Sequence, residues 1–282
     1  MASCEITALA LDMDGTLLTS DKRITDDTLV TLRALLASGL SIFAVTGKAP
    51  RITARCLAPL RLPMVCLDGA VHVAGGVQRW VEGATIDDRL AARLLHDCRG
   101  PCYVLAGGAT QVRGPVDEIQ YADWSDQVGR LGDAPLRRVT HLVFTARGRA
   151  ELAATARRVI RLAQRAPGAA GGGLSVYLTE APFHGCHGLF VRSAGCTKLR
   201  GARAMARRLH FPLDAAMFIG DWVNDIPLLQ AVRFPVAMRH APRAVSECAR
   251  AVTLFGNDDE GVSRFLRAYF AGAAQPAAGR AG

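Results

Sequence analysis

The chain has 282 residues, of which 50% are hydrophobic, and its formal net charge is +9. This length predicts one large domain or two moderate ones. Aromatic residues, at 6% of the chain, are too few for the stacked platforms of a typical nucleic-acid-binding protein. No apolar stretch is long enough to span a membrane and the N-terminus lacks a signal-peptide pattern, so a cytoplasmic location is expected.

Short apolar runs alternate with amphipathic helical patterns in the first and last parts of the chain. Residues 6–11 predict a buried strand, and residues 25–38 predict a helix in which Thr25 is the N-cap and leucines recur at helical spacing. Gly39 is expected to end that helix. Further strands are predicted at 40–45, 63–67, 216–220 and 234–238. Continuous apolar strands between amphipathic helices indicate an α/β fold with a parallel sheet that helices cover on both faces.

The middle of the chain has a different pattern. Helices are predicted at 87–98 and at 149–165, where the arginines recur at helical spacing and are interpreted as a solvated face. Short strands separated by glycine turns are predicted at 102–106, 110–113, 138–145 and 174–179. Elements of this kind indicate a mixed α+β insertion.

The two patterns together predict a discontinuous domain organisation. Residues 1–83 and 187–282 are expected to form the core, and residues 84–186 an inserted α+β cap. The end of the chain, residues 271–282, is rich in alanine and glycine and is expected to be disordered.

Polar side chains follow the predicted parallel strands where each strand ends. The clusters are Asp12 with Asp14, Thr46 with Gly47, and Asp221 with Asn224 and Asp225. A fourth group is Lys198, which stands beside Thr197 at the start of a predicted helix. In open α/β sheets, ligands bind beyond the carboxyl ends of the strands. We therefore expect these clusters to meet at one rim of the sheet.

Each cluster has a chemical role if the ligand is a phosphate. Asp12 can attack phosphorus and form an aspartyl phosphate, while Asp14 protonates the leaving oxygen and then activates water. Crowded carboxylates repel one another and favour a hard cation such as Mg²⁺, which prefers oxygen ligands. The Thr46 hydroxyl, the Gly47 amide and the Lys198 ammonium can hold the phosphoryl oxygens.

At these positions the sequence resembles the haloacid dehalogenase (HAD) superfamily of phosphotransferases. Residues 12–16 and 220–225 resemble its first and fourth motifs, residues 45–48 the second, and Lys198 the third. The resemblance implies a Rossmann-like core and an aspartyl-phosphate intermediate on Asp12. The implied metal ligands are Asp12, Asp14 through its backbone carbonyl, Asp221 and Asp225; the implied phosphate-binding residues are Thr46, Gly47, Lys198 and Asn224.

The long insertion and the pattern of residues 237–262 are similar to the type IIB branch of that superfamily, which includes the Cof-like sugar-phosphate phosphatases. Several positions depart from this branch. Asp68 and His240 stand where asparagine is usual, Lys48 where arginine is common, and Trp222 where a small or polar residue is usual. None of these departures removes a catalytic group, so they bear on substrate identity.

The resemblance implies a magnesium-dependent phosphatase that hydrolyses a small phosphorylated metabolite, as a monomer or homodimer. Two alternatives stay open: a phosphomutase or phosphotransferase that passes the phosphoryl group to a second hydroxyl, and a regulator that binds a phosphometabolite without turnover. Substrate specificity is expected in the cap. The cap candidates are Arg113, Asp117, Glu118, His184 and His187.

Overall fold

The computed structural model describes residues 6–114, 128–132, 134–165, 173–178 and 186–273. It consists of two compact units. The first comprises residues 1–46, 54–65 and 202–282, and the second comprises residues 47–53 and 66–201. Three predicted cap residues lie outside the described residues: Asp117, Glu118 and His184.

The described residues form fourteen strands and eight α-helices. The strands are β1 (Ala8–Asp12), β2 (Ser41–Val45), β3 (Met64–Cys66), β4 (Val71–Ala74), β5 (Val77–Trp80), β6 (Cys102–Ala106), β7 (Ala109–Arg113), β8 (Val128–Arg130), β9 (Val139–Ala146), β10 (Leu174–Leu178), β11 (His187–Ser193), β12 (Ala216–Gly220), β13 (Phe234–Ala237) and β14 (Ala251–Val252). The helices are α1 (Asp26–Ala37), α2 (Pro50–Cys56), α3 (Asp88–Asp97), α4 (Arg149–Gln164), α5 (Lys198–Arg208), α6 (Ile226–Leu229), α7 (Arg243–Ser246) and α8 (Gly261–Ala273). None of the helices in the described residues is long and apolar enough to cross a membrane.

The first unit is built on parallel strands, which confirms the predicted fold class. Its strands lie in the order β14-β13-β12-β1-β2-β3, and every neighbouring pair is parallel. Every residue of β1 and of β12 is buried, as expected for strands that have no solvent-facing side. Because β1 pairs with β12 in parallel, with Leu11 opposite Ile219, the two strands end at the same rim.

Local sequence signals place the first helix as predicted. The Thr25 hydroxyl accepts a hydrogen bond from the Thr28 N–H, so it satisfies one of the donors that a helix start leaves open. Gly39 has φ of +91°, a left-handed conformation that glycine adopts at little cost after a helix end. At the other end of the chain α8 extends to Ala273, so residues 271–273 are helical, and residues 274–282 of the predicted tail lie outside the described residues.

The second unit carries a mixed sheet with helices, of the α+β kind predicted for the insertion. Its six strands lie in the order β10-β11-β9-β6-β7-β8. Helices α3 and α4 contribute Leu94 and Val159 to its buried core. Outside this sheet, β4 and β5 form an antiparallel hairpin.

The predicted start of the second core segment at residue 187 differs from the division into units, which assigns residues 66–201 to the second unit. Strand β11 begins at His187 and lies between β9 and β10, antiparallel to both. Its apolar residues, including Leu189 and Val191, are buried in the second unit's core. An apolar strand pattern does not say which sheet the strand joins, because that choice depends on partners distant in sequence. The other predicted boundary, at residue 83, also differs from the division into units, which assigns residues 66–83 to the second unit.

Seven cysteines lie in the described residues, and all of them are free thiols. Burial raises the pKa of Cys66 and of Cys102 to about 12, so neither forms the reactive thiolate near neutral pH. We expect brief iodoacetamide treatment of the native protein at mildly alkaline pH to alkylate Cys56, Cys186 and Cys248, which are partly exposed. Mass spectrometry should find the two buried thiols modified only after denaturation. Their rapid alkylation in the native protein would contradict the prediction.

Candidate active site

A tight turn follows β1 and explains why a glycine, Gly15, comes directly after Asp12 and Asp14. Asp12 is the last residue of β1 and is 5% exposed. The Leu17 N–H donates to the Asp12 carbonyl at 3.2 Å. Gly15 has φ of +71°, and a Cβ added there would lie 2.3 Å from Asp221 Oδ2. Any larger residue would therefore be strained and would displace the Asp221 carboxylate.

Three buried aspartates meet at the rim where β1 and β12 end. The carboxylate oxygens offered by Asp12, Asp221 and Asp225 all lie within 4.8 Å of one another. These residues are 5%, 8% and 0% exposed, respectively. Carboxylates this close repel one another strongly where water is scarce, and a bound cation relieves that repulsion. Oxygen donors in such a group are the ligands that Mg²⁺ prefers, so the residues present fit the metal that the family resemblance implies.

The backbone after β12 holds Asp225 in place. Its Oδ2 accepts hydrogen bonds from the N–H groups of Asp221, at 3.1 Å, and Trp222, at 3.0 Å. Residues Val223–Asp225 form a short 3₁₀ turn that leads into α6. A Cβ added to Gly220 would lie 2.7 Å from Asp225 Oδ2. The Gly-Asp-x-x-Asn-Asp spacing therefore brings the second carboxylate back against the end of the strand.

Two further side chains of the first unit contact Asp221. The Thr16 hydroxyl donates to Asp221 Oδ1 at 3.3 Å. His240 Nε2 lies 3.5 Å from Asp221 Oδ2, at a position where the family resemblance leads one to expect asparagine. The neighbouring Trp222 is 56% exposed, so its ring is not packed into the core.

Asp14 differs from the three clustered aspartates. Its side chain is 41% exposed and its Oδ1 lies 2.7 Å from the Lys22 ammonium. Lys22 could not be predicted as the partner of Asp14, because a lysine eight residues away carries no spacing signal. An exposed ion pair of this kind leaves the carboxyl accessible to a ligand, which suits the acid/base role predicted for Asp14.

The predicted phosphate-binding residues divide between the two units. Thr46 follows β2 in the first unit, is 1% exposed, and its N–H donates to the Val65 carbonyl at 2.8 Å. Asn224 lies in the 3₁₀ turn after β12. Gly47 and Lys198 belong to the second unit, where Lys198 begins α5 and is 3% exposed.

An ionic cluster in the second unit was not predicted. Asp68 Oδ2 lies 3.3 Å from His141 Nε2 and 3.1 Å from an Arg192 nitrogen. Burial by itself raises the pKa of Asp68, but the hydrogen bond with His141 and the positive charges of His141, Arg192 and Lys198 hold this pKa well below its usual range. Asp68 could be singled out from the sequence as a departure from the branch pattern. His141 and Arg192 could not, because they meet only through the pairing of β9 with β11.

Two of the cap candidates, Arg113 and His187, lie in the part of the chain that the structure describes, and their surroundings differ. Arg113 donates to the carbonyls of Leu95, Cys98 and Gly100. These carbonyls lie at and beyond the end of α3, so Arg113 stabilises the helix end rather than standing ready for a substrate. His187 begins β11 and is partly buried.

Comparisons with known proteins agree with the fold and the motifs. A model of the haloacid dehalogenase-like hydrolase family matches residues 9–98 and 183–266. The Bacillus subtilis protein 5-amino-6-(5-phospho-D-ribitylamino)uracil phosphatase YitU is 26% identical over 276 residues, which span 93% of this chain and 97% of that protein.

Solved structures of the same family have the same fold. A haloacid dehalogenase-like hydrolase from Bacteroides thetaiotaomicron aligns with a TM-score of 0.77 at 17% identity, covering 94% of this chain and 100% of that one. The HAD subclass IIB sugar phosphatase BT4131 aligns with a TM-score of 0.70 at 23% identity, covering 94% and 99%. Since the family model matches more than half of its residues, the chain belongs to the haloacid dehalogenase-like hydrolase family.

Proposed function

We propose that the protein is a magnesium-dependent phosphatase of the type IIB branch that hydrolyses a small phosphorylated metabolite. The observation that carries the proposal is the buried meeting of Asp12, Asp221 and Asp225 at one rim of a parallel sheet. Mutual repulsion between three adjacent carboxylates destabilises the folded protein, and a bound cation would relieve it. We further propose a cytoplasmic location, and a monomer or homodimer that acts on neither nucleic acid nor membrane.

In the proposed mechanism, Asp12 attacks phosphorus and the bond to the leaving oxygen breaks as Asp14 protonates that oxygen. Asp14 then takes a proton from water, the water oxygen bonds to phosphorus, and the bond between phosphorus and the Asp12 carboxylate breaks to release phosphate. Mg²⁺, held by Asp12, Asp221, Asp225 and the Asp14 carbonyl, would supply positive charge to the phosphoryl oxygens. The proposed ligands of those oxygens are Thr46, Gly47, Lys198 and Asn224.

The names of similar proteins support a phosphomonoester of a sugar-like metabolite as the substrate. The Bacillus subtilis relative carries the name of a phosphatase for a phosphorylated ribitylaminouracil, and BT4131 is described as a sugar phosphatase. We therefore propose a sugar phosphate or a similar phosphomonoester.

Phosphate release from a panel of phosphometabolites tests the proposal. The panel should include sugar monophosphates, nucleotides, pyridoxal phosphate and phosphoglycerate, each with Mg²⁺. We expect release of inorganic phosphate from at least one of them, loss of that activity to the background rate with EDTA, and recovery with excess Mg²⁺. Mg²⁺ should also raise the thermal midpoint of the wild-type protein, since it binds only the folded state. Asp221→Asn should lose this shift, whereas Asp214→Asn, which changes an exposed aspartate, should keep it.

The same assay separates the alternatives. Formation of an isomeric sugar phosphate without free phosphate would identify a mutase or phosphotransferase. Tight binding of a metabolite with no chemical change would identify a regulator. Activity that is indifferent to EDTA, or an unaltered midpoint shift in Asp221→Asn, would overturn the proposed metal site.

A further inference from the structure

Asp68 lies in a strained turn that its neighbours hold tightly. Leu67 and Asp68 both have φ of +51°, a left-handed region that residues other than glycine adopt at a cost of about 1 kcal/mol each or more. The Leu67 N–H donates to the Lys48 carbonyl at 3.0 Å. Cys196 Sγ lies 3.1 Å from the Leu67 carbonyl oxygen. Strain of this kind persists only where surrounding contacts enforce it.

The turn places the Asp68 carboxylate beside the two second-unit residues proposed to bind phosphate. A Cβ added to Gly47 would lie 3.3 Å from Asp68 Oδ1, so the carboxylate lies against the Gly47 backbone. The next residue, Gly69, packs on the carbonyl of Thr197, which directly precedes Lys198. The positive charge of Lys198 favours the ionised form of Asp68.

Two further side chains hold the same carboxylate from the six-stranded sheet. His141 on β9 and Arg192 on β11 are direct partners in the strand ladder, and both approach Asp68 Oδ2. The side chains of His141, Arg192 and Asp68 are only 4%, 15% and 14% exposed. Charges in such a setting interact more strongly and over longer distances than at the surface.

We propose that Asp68 is a positioning residue whose negative charge weakens phosphate binding at Gly47 and Lys198. Its carboxylate holds His141 and Arg192 in place and offsets the positive charge of Lys198. This inference rests on the proposed function, in which Gly47 and Lys198 bind the phosphoryl group. A phosphate dianion beside a permanently ionised carboxylate is repelled, which speeds product release, a step that often limits turnover. The asparagine usual at this position in the branch would lack the repulsion.

The inhibition constant of inorganic phosphate tests the proposal. Asp68→Asn keeps the shape of the side chain and removes its charge, and the loss of one close unit charge corresponds to about tenfold tighter phosphate binding. The KM for substrate should fall with it, while kcat should not rise. Asp97→Asn is the matched control, because Asp97 also contacts one histidine and one arginine, His96 and Arg93. Asp97 lies on α3 and is not a member of the Asp68 cluster. Its inhibition constant for phosphate should equal that of the wild type.

A second variant tests the opposite direction. Arg192→Gln removes one cation and leaves more of the Asp68 charge uncompensated, so phosphate should bind about threefold to tenfold more weakly. An unchanged or higher inhibition constant in Asp68→Asn would overturn the inference, as would tighter binding in Arg192→Gln. Calorimetric titration with inorganic phosphate gives the affinities without turnover. Absence of phosphatase activity in the wild type would therefore count against the proposed function. Unaltered phosphate affinity in Asp68→Asn would count only against the role proposed for the Asp68 charge.

Discussion

Asp12→Asn is expected to lower kcat by about 10⁴-fold or more, because the amide cannot attack phosphorus and no other described side chain is proposed as the nucleophile. The substitution keeps the size and polarity of a residue that is 5% exposed, so the fold should survive. Circular dichroism and the thermal midpoint check the fold, and steady-state phosphate release with the best substrate of the panel checks the activity.

Acid-quenched reactions with ³²P-labelled substrate give a second readout of the same substitution. The wild-type protein should carry acid-stable label on Asp12, and Asp12→Asn should carry none. Asp214→Asn, which alters an exposed aspartate shortly before β12, should retain both the rate and the label. Near-normal turnover in Asp12→Asn would show that the nucleophile has been assigned to the wrong residue.

Gly69→Ala is expected to cause a large loss of stability. An added Cβ would lie 1.9 Å from the Thr197 carbonyl oxygen and 2.6 Å from its carbon, and Gly69 has φ of +99°. Both obstacles are backbone features that no side-chain movement relieves. We expect the free energy of unfolding to fall by about 3–5 kcal/mol, and activity to fall as well, since Thr197 directly precedes Lys198.

Gly76→Ala separates the two causes of that loss. Gly76 has a similar left-handed backbone, with φ of +73°, but an added Cβ would meet nothing within 4 Å. Only the conformational cost remains there, about 1 kcal/mol. Thermal unfolding of both variants should give a much larger decrease in midpoint for Gly69→Ala. Equal decreases would mean that the contact with Thr197 contributes nothing.

Much of the candidate site could be predicted because its residues follow strands. Asp12 and Asp221 end neighbouring parallel strands, and the parallel order of β1 and β12 places them at one rim. Asp225 returns to the same rim because its carboxylate accepts backbone N–H groups within its own turn. The rule that parallel strands end at one rim, together with the local turn after β12, therefore accounts for this part of the site.

The Asp68 cluster could not be predicted in the same way. Its three members come from a turn and from two strands that pair antiparallel, and His141 and Arg192 are 51 positions apart in the chain. Strand pairing depends on the packing of whole faces rather than on a local motif. For the same reason the sequence pattern predicts the residues of β11 to lie in the core, although the strand joins the six-stranded sheet.

The amino-acid sequence alone determined the α/β class, the positions of strands β1, β2, β3, β12 and β13 and of helix α1, and the acidic residues at the ends of β1 and β12. These features depend on periodicity, capping and turns, which act over a few residues. Only the tertiary structure decided that Asp68 contacts His141 and Arg192, that Asp14 pairs with Lys22, and that β11 lies between β9 and β10. Charge pairing and sheet register depend on distances in space that spacing along the chain does not fix, and folding alone sets those distances.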